Sequence, residues 1–205
     1  MRQTFLAALM FGLLISRAAF AQHSLELDRS TMDRIFPLQG ADTNPRSTIM
    51  IFVLRYWPGL DPALGAESRI KVTIEVGEAP VVEYDRAERR LSTVLDEMIQ
   101  VNPLPDPDEV ARRMKITRKA IKVSGSQALK WQKDMLGAVG SALASLPPET
   151  KRTYETGTAY LTLDGSAYEI WYSSGLTSML YNSDQDSAFV KWADHFRSEV
   201  ALAAK

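Results

Sequence analysis

Ile49-Met50-Ile51-Phe52-Val53-Leu54 is an unbroken β-favouring apolar run, the pattern of a strand buried on both faces and therefore central in its sheet. After a Pro/Gly loop from Pro58 to Ser68, Ile70, Val72, Ile74 and Val76 alternate with Lys71, Thr73 and Glu75. That period of two predicts a strand with one wet face. Gly77-Glu78 then turns the chain into a strand over Val81–Tyr84. Helical spacing takes over at Leu91, Val94, Leu95, Met98 and Val101, predicting a helix from about Arg86 that stops before Pro103. Asp106 as N-cap, Pro107 at the first helical position and Glu109 three residues after the cap predict a second helix to about Met114.

The longest helix is expected over Ser126–Leu146, with Leu129, Leu136, Val139, Leu143 and Leu146 on its apolar face and Pro147-Pro148 as its stop. Tyr160–Leu163 and Ala167–Tyr172 flank Asp164-Gly165, a two-residue hairpin signal. That register pairs Leu161 with Tyr168 and Ala159 with Ile170 on the core side and leaves Tyr160, Glu169 and Trp171 outside. A further strand over Thr177–Tyr181 leads into a C-terminal helix striped by Phe189, Trp192, Phe196 and Val200, with Asp184 and Asp186 at its N-terminus. The expected architecture is α+β: a mainly antiparallel sheet with helices packed on one face, as two βββα stretches separated by a helical middle.

Composition changes the picture at the N-terminus. Arg2, an eleven-residue apolar run from Phe5 to Ile15, and Ala19-Phe20-Ala21 form the pattern of a cleaved signal peptide over residues 1–21. The run is shorter than the roughly 20 residues of a membrane span, and no later stretch reaches that length. The expected organisation is a signal peptide over 1–21, an N-terminal arm over 22–48 with a short helix near Thr31–Ile35, and one α+β domain over 49–205. The expected location is periplasmic or secreted, in a bacterium. Of the 24 basic residues, Arg2 and Arg17 leave with the signal, so 22 face 25 acidic ones, and net charge selects no partner. Cysteine is absent, which excludes disulfide scaffolds, thiol nucleophiles and Cys-ligated zinc.

Local charge is more informative. From Val110 to Lys133 the chain carries Arg112, Arg113, Lys115, Arg118, Lys119, Lys122, Lys130 and Lys133 with no acidic residue. This is a field suited to an anionic ligand or an acidic protein face, or else the solvated side of two helices and an edge strand. Glu109–Ile121 imitates a helix-turn-helix, but Lys115 stands where such turns favour glycine, and an exported chain has no nucleic acid to read. His23 and His195 are the only histidines and form no ligand cluster. Asp106-Pro107-Asp108 and Asp184-Gln185-Asp186 lack the rest of a calcium loop and read as helix caps. No Walker loop, dinucleotide fingerprint or G-x-S-x-G elbow occurs, and no cofactor or metal is implied. Outward Tyr160 and Trp171 beside Glu169 offer an aromatic face for a glycan or protein, with a covering arm over residues 22–48 as the competing explanation.

The sequence therefore points to an exported, non-catalytic binding or interaction protein, with no nucleic acid partner and no integral membrane segment after signal cleavage. Its expected ligand is an anionic envelope component or a protein partner. The candidate binding residues are Arg112, Arg113, Lys115, Arg118, Lys119, Lys122, Tyr160, Glu169 and Trp171. The alternative is a hydrolase of envelope polymers, which requires two carboxylates converging in one cleft.

Overall fold

The computed structural model describes residues 30–38, 48–58, 65–102, 105–145, 167–173, 178–183 and 187–205. The expected signal peptide over 1–21, Tyr160, the expected turn at Asp164-Gly165, Asp184 and Asp186 lie outside them. A short helix over 30–35 (α1) precedes the strands Thr48–Trp57 (β1), Ser68–Glu75 (β2) and Val81–Ala87 (β3). Helices Leu91–Ile99 (α2) and Pro107–Met114 (α3), strand Ile116–Lys122 (β4) and helix Gly125–Ser145 (α4) follow. Strands Ala167–Ser173 (β5) and Ser178–Ser183 (β6) and helix Ala188–Ala203 (α5) complete the order.

Among the described residues six strands form one sheet in the order β4-β3-β2-β1-β5-β6, every neighbouring pair antiparallel. The fold is α+β, as the patterning predicts, and β1 lies inside the sheet with β2 and β5 on its two edges. Gly77, at φ 79°, turns β2 into β3 in a conformation that a side chain strains. On one face Phe52, Leu54 and Tyr56 of β1, Ile70 and Val72 of β2, Val82 of β3 and Tyr168 and Ile170 of β5 meet α4 and α5. Phe52 and Phe196 sit with ring centroids 5.6 Å apart, and Trp131 lies edge-on to Phe196. Each fully buried side chain of this kind contributes about 1.5–3 kcal/mol. The three short helices gather at one end of the opposite face, where Met32, Ile35, Phe36, Leu91, Val94, Val110 and Met114 form a second cluster with Ala87.

Several expectations need correction. The expected partners Leu161 and Ala159 lie outside the described residues, and within them both edges of β5 are taken by other strands: Tyr168 lies between Tyr56 and Ser183, and Ile170 between Leu54 and Tyr181. The helix expected from Arg86 begins at Leu91, because β3 continues to Ala87. Glu67 accounts for this stop, its carbonyl accepting from Ala87 N–H at 3.0 Å and its carboxylate from Leu91 N–H at 3.0 Å. α4 buries Ala128, Trp131, Met135, Val139 and Ala142, while Leu129 is 57% and Leu136 39% exposed. The helix-turn-helix imitation ends at Lys115, whose φ of 53° is left-handed and turns the chain out of α3 into β4 where a second helix would run.

Candidate functional site

On the face opposite α4 and α5, the pleat brings one charged residue from each of five strands into a single transverse row. The register aligns Arg118 of β4 with Asp85, Asp85 with Arg69, Arg69 with Arg55, and Arg55 with Glu169 of β5. Arg69 and Arg55 are like charges directly opposite one another, an arrangement that repels unless each has its own acid. Each does. Arg69 Nη2 lies 2.7 Å from Asp85 Oδ2, and Arg55 Nε donates to Glu169 Oε2 at 2.5 Å.

The Arg55–Glu169 pair is deeply covered, at 1% and 4% exposure. Arg55 Nη1 also donates to Asp33 Oδ1 at 2.6 Å and to the Phe36 carbonyl at 3.3 Å, and Arg69 donates to the Pro37 carbonyl at 3.4 Å. Two adjacent guanidiniums thus tie α1 and its exit to the sheet. This corrects the expected exposure of Glu169. It does face away from the larger core, but it is buried beside Arg55, which Asp33 and the Phe36 carbonyl also engage. Trp171 shares its face and is half-buried.

The outer end of the row remains open. A cleft of about 510 Å³ is lined by Arg34, Ile35, Pro37, Arg69, Glu83, Asp85, Arg118, Lys119 and Ala120. Its two carboxylates both face cations: Glu83 lies 3.6 Å from Lys71 and 3.7 Å from Arg69, and Asp85 lies 4.0 Å from Arg118. Arg34 is held by Asp108. Arg118, 72% exposed, is the loosest member of the network and stands at the cleft mouth.

The expected basic residues do not converge on one point. Arg112 and Arg113 project from α3, the latter 2.8 Å from Glu109. Lys115 is the exposed left-handed cap. Along β4, Arg118 and Lys122 alternate with Lys119, which lies on the other face and donates to the carbonyl of Ala204 at the end of α5. There a second hollow of about 430 Å³ lies among Tyr84, Arg86, Thr117, Lys119, Ala201 and Lys205. Sequence reasoning passed over Arg55, Arg69, Glu83 and Asp85. An arginine at the end of the apolar β1 run, and charges alternating with Val82 and Tyr84 in β3, carried the signal.

Glu67, buried at the N-terminus of α2, has its pKa raised by burial. Tyr56 and Tyr168 pack at 4.9 Å, the Tyr168 hydroxyl donates to Asp194, and Arg197 sits 3.7 Å over the Tyr56 ring. Burial raises the pKa of both phenols, so neither is activated as a nucleophile. Among the described residues no three His, Asp or Glu side chains are grouped to hold a metal, and no helix is long and apolar enough to cross a membrane. Comparison with protein families, with curated proteins and with solved structures finds no match, so function rests on this geometry.

Proposed function

We propose that this chain is an exported, non-catalytic binding protein that takes an anionic ligand or an acidic protein face along the β4 side of its sheet. The observation that carries the reading is the exposed, single-sign edge of β4: Arg118, Lys119 and Lys122 lie in a stretch with no acidic residue from Val110 to Lys133. Arg118 gives that edge a cation at the mouth of an open cleft, and like-charged groups beside a concave surface concentrate anions there. The signal-like residues 1–21 support export to a periplasmic or extracellular location.

A carboxylate hydrolase has one observation in its favour, the presence of Glu83 and Asp85 in the same cleft. Their cationic neighbours Lys71, Arg69 and Arg118 make them parts of an ion-pair network. The binding reading is tested by thermal shift of the full chain with polyglutamate, inorganic phosphate, acidic glycans and anionic vesicles. A ligand of the folded state raises the melting temperature with concentration. The rise must shrink in Arg118→Gln/Lys122→Gln and persist in Arg112→Gln/Arg113→Gln. A panel that produces no rise refutes the reading.

A further inference from the structure

From the backbone of β4 we infer that its outer edge is a strand-addition site for an extended acidic peptide. The inference rests on the anionic-partner reading and gives it a binding mode. All seven residues of β4 are in register with Val81–Ala87 on the inner side. Alternate residues of an antiparallel strand aim their N–H and C=O groups to opposite sides, so about half of β4 presents backbone donors and acceptors outward. Among the described residues no strand lies beyond it, and Thr117–Ala120 is exposed throughout.

Proteins blunt such edges with proline, a bulge, shortness or charge. β4 has no proline and no irregularity in its register, and it is as long as β3. Among the described residues charge is its one guard, and that charge has a single sign. A second copy of β4 laid against it would set cation on cation and be rejected. An acidic strand meets no such barrier, so the guard selects a partner as well as excluding one.

The register gives the partner a pattern. Arg118 and Lys122 share the cleft face with Ala120 between them, while Lys119 and Ile121 belong to the other face, where Ile121 packs against the main core. An antiparallel added strand would place acids opposite Lys122, Lys119 and Arg118, an apolar side chain opposite Ile121, and a residue over Ala120, where the small side chain leaves room. Main-chain hydrogen bonds then supply affinity and the alternate side chains supply selectivity.

The test uses the full chain, isotopically labelled, and the peptide acetyl-Thr-Glu-Val-Thr-Glu-Glu-Thr-amide. Two control peptides carry glutamine in place of glutamate, or backbone N-methyl groups at alternate residues. Amide hydrogen exchange and chemical shifts are followed by NMR. The expected result is slowed exchange at alternate amides within Ile116–Lys122, about tenfold weaker binding of the glutamine peptide at low salt, and no protection by the N-methylated peptide. Equal binding of the acidic and N-methylated peptides overturns strand addition and leaves the anionic-partner reading standing. Binding by neither also overturns strand addition, and the anion panel above then decides the wider reading by itself.

Discussion

Replacing Glu169 with leucine removes the acid from a guanidinium that has almost no water to turn to. Arg55 is 1% exposed, and its remaining partners would be Asp33, whose side chain is 56% exposed, and the Phe36 carbonyl. Breaking a buried pair from one side leaves an uncompensated charge and costs about 3–5 kcal/mol. In a domain of this size each kcal/mol lowers the melting temperature by roughly 2–4 °C, so Glu169→Leu should melt roughly 6–20 °C below the parent. The double variant Arg55→Met/Glu169→Leu replaces both charges with apolar volume and should recover most of that loss. Urea unfolding of the parent, the two single variants and the double variant closes the cycle. The exposed Arg113–Glu109 pair is the control, since pairs of that kind are worth about 0.3–0.5 kcal/mol. A Glu169→Leu cost below about 1 kcal/mol, or a double variant no better than the single, would refute the claim that a buried pair anchors the arm.

Glu67→Gln tests the buried carboxyl beneath α2. Burial raises the pKa of Glu67 above its ordinary 4.5, so the folded state holds the proton more tightly than the unfolded chain does. The stabilisation is complete below the unfolded value and lost as pH rises through the folded one. The glutamine variant should therefore melt above the parent at neutral pH, with the gap closing toward the acid side of 4.5 in a series of melting curves. Lys115→Gly relieves a left-handed backbone at φ 53° and should add about 0.5–1 kcal/mol in urea titration, whereas Lys115→Val should destabilise. On α4, Met135→Ala should cost about 2–5 kcal/mol and Leu129→Ala no more than about 0.5 kcal/mol. The reverse order would restore the leucine face that the sequence suggested.

Legibility in the sequence followed the range of the interaction that decides each feature. β1 declared itself through an unbroken apolar run, α3 through Asp106, whose carboxylate accepts from Asp108 N–H at 3.1 Å, and α5 through its aromatic stripe. All three are local signals. The face of α4 was misjudged because leucine outranks alanine in hydrophobicity, yet α4 must pack against both the sheet and α5. Close approach favours small Ala128 and Ala142, while Trp131 is drawn inward by burial and by its indole N–H donating to Glu199 at 3.0 Å. The charged row depends on strand order. Arg55 and Glu169 are 114 residues apart, and nothing near either one announces that β5 lies beside β1. The basic segment was found, but its division between two faces of β4 and the outside of α3 required the turn at Lys115.

The most direct test of an anionic partner on the β4 side is an NMR titration of the labelled full chain with polyglutamate at low and physiological salt. The predicted result is a set of shift changes confined to β4 and the cleft-lining Arg69 and Asp85, weakening as salt rises and abolished in Arg118→Glu/Lys122→Glu. Shifts of equal size on Arg112, Arg113, Lys130 and Lys133 would mean that anions meet only diffuse surface charge, and would contradict the account.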